Sequence, residues 1–324
     1  MAEAAATLGR VPWRSLIAWL LVVPVAGWVA VRAFGLEEGY PMVPLLAYTP
    51  LAVAGGAVVL VVTLLLRRRA AAVLAAALTV TLAVFVAPRA LGGPTNAEGG
   101  SGPRLTVLTA NLYEEPRAAQ GIVDVVRRER PDVLSLQEVA PRVAAALEDA
   151  GLKRLLPERI QDVQGRGFGS AVYARVPLGR GTVTVGQTVT AARLRRRGAP
   201  PVEVLAVHPR APVRADRMDE WRADLRALPR ATPQGTVRIL AGDFNATLDH
   251  AELRRVLDRG YEDAAAEVGH GLRATWPANR RFPPPVTIDH VLADERCGVR
   301  DLKVIPVPGS DHRAVLAELE LPRG

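Results

Sequence analysis

The chain has a single cysteine, Cys297, so no intrachain disulfide can staple it and each folded part must stand on its own core. Lysine is almost missing: Lys153 and Lys303 are the only two among 41 basic residues. Such an arginine excess reflects a genome rich in G and C and does not by itself mark a nucleic-acid groove. No internal repeat is visible. A glycine-rich phosphate loop is also lacking. Gly165-Arg166-Gly167-Phe168-Gly169-Ser170 has the glycines but follows no strand signal and opens no helix signal, which argues against dinucleotide binding.

Polar side chains are equally scarce over the first ninety positions. With 324 residues, 49% hydrophobic and a mean hydropathy of +0.13, the chain is too apolar for an ordinary soluble enzyme. Uncharged runs cover 16–31 (with Pro24 inside), 41–66 and 70–87, each near the ~20 residues that cross about 30 Å of hydrocarbon. The expectation is an anchor over 1–90 built of about three transmembrane helices, near 15–34, 41–66 and 70–88, in contact with the lipid bilayer. Pro44, Pro50 and Gly55-Gly56 weaken the second as a straight helix. Arg10, Arg14 and Arg67-Arg68-Arg69 fall on one side of such a bundle, whereas Arg32 and Arg89, with Glu37 and Glu38, fall on the other. The N-terminus is therefore expected inside, and everything after Arg89 outside, as a multi-pass protein of the cell membrane. Loss of 16–31 as a cleaved signal peptide would leave the same final orientation. Residues 91–103, rich in Gly and Pro, read as a flexible linker to a domain over 104–324.

The net charge of +8 divides as +3 over residues 1–99 (7 basic, 4 acidic) and +5 over the remainder (34 basic, 29 acidic), so the outer domain is only mildly basic. Its one dense basic run, Arg193 with Arg195-Arg196-Arg197, reads as a solvated loop. Strand signals at 105–110, 133–137, 168–174, 182–189, 202–207, 237–241, 287–292, 302–307 and 314–319 interleave with helix signals at 118–128, 143–150, 214–228 and 251–258. The domain is α/β, and that many strands imply two sheets.

Five short polar motifs close apolar runs in this domain: Leu108-Thr109-Ala110-Asn111, Leu136-Gln137-Glu138, Ala241-Gly242-Asp243-Phe244-Asn245, Ile288-Asp289-His290 and Gly309-Ser310-Asp311-His312. Carboxylates, amides and a histidine delivered by separate strand ends suit a divalent metal and a phosphate better than they suit a core. A hard cation such as Mg²⁺ prefers carboxylate oxygen, which makes Glu138 a natural ligand. Asp243 and Asn245 stand two apart after a strand, so both can reach one phosphate if the chain stays extended. A histidine needs an orienting partner to fix its tautomer.

In this order the motifs resemble the endonuclease/exonuclease/phosphatase superfamily, across 105–319 and outside the membrane segment. The resemblance implies a four-layer α/β sandwich, two packed β-sheets flanked by helices, with an active site at one edge. It also implies hydrolysis of a phosphate ester with Mg²⁺ or Mn²⁺, acting on nucleic acid or a phospholipid headgroup, without a protein partner. Residue by residue, it carries metal binding to Glu138, Asn111 and Asp311. Orientation or deprotonation of water goes to Asp243, contact with phosphoryl oxygens to Asn245, and a dyad to Asp289 and His312. His208 matches a strand-end histidine of some members, although His-Pro stands here where His-Leu is usual. Thr275-Trp276 matches a step beside the substrate pocket, which makes Trp276 a substrate-binding candidate. His290 is expected to pack beside the site, and His250 and His270 to be ordinary surface histidines. The competing reading is a catalytically silent, membrane-tethered module that binds a phosphate ligand; the intact set Glu138, Asp243, Asn245, Asp289 and His312 argues against it.

Overall fold

The computed structural model describes residues 13–93, 100–163, 169–183 and 189–324. Most of the Gly165–Ser170 stretch and the middle of the expected linker, 94–99, lie outside these residues. The chain forms two compact units, one of residues up to Glu37 with Tyr48–Val86, the other of Glu38–Ala47 with Ala87–Gly324.

The first ninety residues contain α1 (Trp13–Phe34), α2 (Met42–Leu46), α3 (Thr49–Leu65), α4 (Arg69–Val86) and α5 (Pro88–Leu91). Of these, α1, α3 and α4 make the first unit. The run expected as one helix over 41–66 is broken at Ala47-Tyr48, where Pro50 enters the first turn of α3; its missing N–H costs nothing there but cannot continue a helix from α2. With 22 and 18 residues, α1 and α4 are long and apolar enough to cross a membrane, while α3, equally apolar, has 17. Gly56 lets α3 and α4 approach closely, since a Cβ there would lie 2.6 Å from Thr79 Oγ1.

The second unit continues with β1 (Arg104–Asn111), α6 (Arg117–Glu129), β2 (Val133–Gln137), α7 (Pro141–Asp149), α8 (Leu152–Leu155), β3 (Glu158–Asp162), β4 (Ser170–Ala174) and β5 (Gly179–Arg180). Then follow β6 (Val189–Leu194), β7 (Val202–Val207), α9 (Met218–Ala227), β8 (Val237–Asp243), α10 (Ala251–Leu257), β9 (Tyr261–Asp263), α11 (Ala264–Glu267), β10 (Asp289–Asp294), β11 (Gly298–Pro306) and β12 (Arg313–Glu320). One sheet has the order β11-β12-β1-β2-β4-β3 and the other β5-β6-β7-β8-β10-β9. Most of the strand expected at 182–189 lies outside the described residues; the strand Val189–Leu194 that follows carries alanines and Arg193 of weak strand signal and is set by its pairing with β7. Arg196 in the basic run is not simply solvated: it bonds the Asp132 carboxylate at 3.1 Å.

Strand alternation sorts the apolar side chains into layers. Leu105, Val107, Val133, Val204, Ile239, Ala241, Val291 and Val315 share the core between the sheets. The opposite faces pack on helices, Leu108, Leu134 and Leu136 on α6 and α7, and Leu205, Leu240 and Leu292 on α9 and α10. Buried Cys297 belongs to the inter-sheet core, and burial pushes its thiol up to about 12, which leaves it unreactive. Where β7 and β8 run side by side, a Cβ on Gly242 would sit 1.9 Å from Val207 O. Gly242→Ala is therefore expected to destabilise the domain by at least the ~1–3 kcal/mol typical of overpacking, seen as a lower melting temperature than wild type.

Candidate active site

The same alternation aims the polar motifs. In β1 and β8, Asn111 and Asp243 fall on the parity of Leu105, Val107, Ile239 and Ala241, so both point between the sheets where the apolar filling ends. His208 follows Val204 and Ala206 on β7, and Asp289 precedes Val291 on β10, with the same result. Asp289 lies directly opposite Asp243 in the β8–β10 register. His290, one residue on, faces the other way, where Nδ1 meets Asp263 Oδ2 at 2.7 Å and Nε2 meets Ala246 O at 2.9 Å.

Asn111 ties the cluster together. Its Nδ2 donates to Glu138 Oε1 and to Asp243 Oδ2, both at 3.0 Å. His312 Nδ1 lies 2.9 Å from Asp289 Oδ2, and its Nε2 stands 3.8 Å from Asp243 Oδ2 and 3.8 Å from Asp311 Oδ1. His208 Nε2 is 3.6 Å from Glu138 Oε1 and 3.8 Å from Asp243 Oδ2, beyond hydrogen-bond reach of either. Asn245 donates its backbone N–H to Asp243 Oδ1 at 2.8 Å, and its Nδ2 reaches Pro209 O at 3.0 Å. Trp276 Nε1 donates to Asp311 Oδ2 at 3.0 Å, and Arg280 stacks on its ring. The candidate site residues therefore lie in or beside one cluster, whereas His250 and His270 lie elsewhere. His250 is buried, not a surface histidine, and His270 is half-buried against Leu302 O.

Two hydroxyls in the motifs carry more than the sequence indicated. Ser310 Oγ donates to Asn111 O at 2.7 Å and accepts from the His312 N–H at 2.9 Å, joining the first motif to the last. Thr275 Oγ1 accepts the N–H groups of Ile288 and Asp289, both at 3.1 Å, which fixes the start of β10. A buried hydroxyl flanking a motif was the available signal. Glu138 and Asn245 hold φ of 56° and 48°, left-handed values that cost a non-glycine residue roughly 1–3 kcal/mol and turn each side chain out of strand alternation.

Burial raises the Glu138 and Asp243 carboxyls above the usual range, with the Asp289 charge adding to Asp243. It also lowers His208, against the pull of Asp243, and leaves that ring neutral. His312 goes the other way: burial opposes its charge, but Asp289 and Asp243 override it and lift the imidazole to about 10. Because this folded value exceeds the ordinary 6.5, the stability it contributes is complete below about pH 6.5 and is lost as pH rises toward 10. In metal-free protein the domain's melting temperature is expected to fall more steeply between those limits in wild type than in His312→Gln, and equal slopes would contradict the pairing.

Two donor sets in the cleft can hold a cation. Asp243, Asp289 and His312 offer atoms all within 4.8 Å of one another, although His312 Nδ1 is already engaged by Asp289. Glu138 and Asp311 offer the second beside Asn111, whose Oδ1 already accepts the Tyr113 N–H at 2.9 Å and would have to share it with an ion. Here Asp311 Oδ1 is buried without a hydrogen-bond partner, and Glu138 is desolvated beside the Asp311 charge, the condition a hard cation relieves.

The profile of the Endonuclease/Exonuclease/phosphatase family matches residues 108–312. No curated protein matches the chain. Among solved structures, it is similar to a humanized TDP2 of D. rerio, with a TM-score of 0.57 and 17% identity, over 67% of this chain and 98% of that one. An endonuclease/exonuclease/phosphatase from Beutenbergia cavernae gives 0.52 and 21%, over 68% and 72%. D. rerio TDP2 complexed with a single-strand DNA product gives 0.52 and 17%, over 67% and 98%. These identities speak for the fold, two mixed sheets with helices outside. The chain belongs to the endonuclease/exonuclease/phosphatase family and is a metal-dependent hydrolase of phosphoester bonds.

Proposed function

We propose that this protein is a membrane-anchored phosphodiesterase, acting on nucleic acid or a phospholipid headgroup by in-line attack of water. The observation that carries the reading is the linked chain of Glu138, Asn111, Asp243, His312 and Asp289 in one buried cleft. Asp243, with its raised proton affinity, takes a proton from the attacking water as the water oxygen bonds to phosphorus and the ester P–O bond breaks. His312, held cationic and oriented by Asp289, offers its Nε2–H to the phosphoryl oxygens or the leaving oxygen. Neutral His208 and the Asn245 amide contact the remaining oxygens, and Trp276 walls the pocket. Glu138 with Asn111 and Asp311 would hold Mg²⁺ or Mn²⁺, which would supply charge neutralisation at the phosphate.

In this reading α1, α3 and α4 cross the cell membrane and the catalytic unit lies on the extracytoplasmic side, as the arginine pattern indicates. The test is to incubate full-length protein in detergent with Mg²⁺ or Mn²⁺ against plasmid DNA, RNA, phospholipid vesicles and bis(p-nitrophenyl) phosphate. Chelator-sensitive hydrolysis of one class identifies the substrate. Binding of these compounds with no hydrolysis of any would replace the enzyme by a phosphate-binding module.

A further inference from the structure

The segment between α1 and α3 is part of the catalytic unit. Val43 is completely buried in the core formed with Trp221, Leu240, Phe244, Leu253 and Leu292. Its carbonyl lies 2.8 Å from Nε2 of His250. The Thr247 N–H donates to Nδ1 of the same ring at 2.9 Å, so the ring's proton sits on Nε2 and is given to Val43. On the other side of the α3–α4 hairpin, Arg89 meets both oxygens of Asp249 at 2.8 and 2.7 Å, and both side chains are buried. Gly271 N–H donates to Arg89 O at 2.9 Å and keeps that segment in place.

Asp249 and His250 end a loop that starts at the site. It runs from Asp243 through Phe244, whose N–H donates to Ile288 O at 2.9 Å, and carries Asn245. We propose that the two segments bracketing the hairpin, 38–47 and 87–93, form a clamp that positions the 244–250 loop. The same packing means that the chain leaves the catalytic unit after Ala47 and returns to it at Ala87. If α4 crosses the membrane, α3 must cross back, and its 17 residues, about 26 Å of helix, are near the hydrocarbon thickness. The positioning role rests on the hydrolase reading above, whereas the clamp and the returning hairpin do not.

The test uses full-length protein in detergent with Arg89→Ala, Arg89→Lys and Val43→Ala. Arg89→Ala is expected to speed hydrogen exchange at amides 244–250 selectively. It should also lower kcat about tenfold with KM little changed, with Arg89→Lys recovering part of both. Val43→Ala, a smaller lesion, should show the same pattern more weakly if Arg89→Ala fails to fold. Unchanged exchange in that loop for the folded variants overturns the clamp; changed exchange in a protein that hydrolyses no phosphoester keeps the clamp and sinks the enzyme reading. Single cysteines at Glu38, Arg69 and Leu91 in a Cys297→Ala background then report sidedness to a membrane-impermeant maleimide. Glu38→Cys and Leu91→Cys should be labelled from one side and Arg69→Cys from the other. Labelling of the first two from opposite sides would overturn the returning hairpin.

Discussion

Replacing His312 by alanine is expected to lower kcat by about 10²–10⁴-fold, the range lost when a positioned proton donor or acceptor is removed, with the domain still folded. The side chain sits at the end of a directional chain: Asp289 fixes Nδ1, and Nε2 stands 3.8 Å from Asp243, beyond hydrogen-bond reach, so its N–H can turn to a phosphoryl oxygen. Asp243→Ala should cost as much, because Asp243 is the carboxylate with raised proton affinity nearest His312. Asp289→Asn should lower kcat while leaving KM near wild type, since it disturbs the charge and tautomer of the ring and not the groups that grip substrate. Near-normal metal-dependent turnover in either alanine variant, with native circular dichroism, removes the proposed assignment.

The second large effect is expected at Glu138. Glu138→Gln keeps the shape and the Asn111 contact but removes the charge that a hard cation needs, so the Mg²⁺ concentration for half-maximal rate should rise at least about 10–100-fold, the loss typical of weakening a ligand's own supports. Excess Mg²⁺ should restore part of the rate, and chelation should abolish it in wild type. Asp311 provides the control. Its buried Oδ1 has no hydrogen-bond partner and its other oxygen is held by Trp276, so Asp311→Asn should shift the metal titration in the same direction. An unchanged titration in Glu138→Gln would move the cation to the Asp243, Asp289 and His312 set, and with it the proton-transfer roles given to those residues.

Much of this site was legible one motif at a time because a β-strand imposes a period of two. Once Leu105, Val107, Ile239, Ala241 and Val291 are taken as the inward face, Asn111, Asp243 and Asp289 must point inward and His290 must not. The two residues that break this rule, Glu138 and Asn245, do so through left-handed backbone at the strand ends, which no alternation pattern reveals. The strand at Val189–Leu194 is hard to read for a related reason: its pairing partner, not its composition, makes it a strand.

The sequence alone determined what depends on neighbours along the chain: apolar helices long enough for a membrane, inward and outward faces of strands, and the order of motifs that marks the family. Tertiary structure alone decided what depends on residues far apart. Val43 reads as part of one membrane-spanning run and Arg89 as the flank of another until His250 and Asp249, more than a hundred and fifty positions away, supply the partners that bury them. A carbonyl and a guanidinium carry no local sign of whether water or a distant side chain will satisfy them, and only the folded chain chooses.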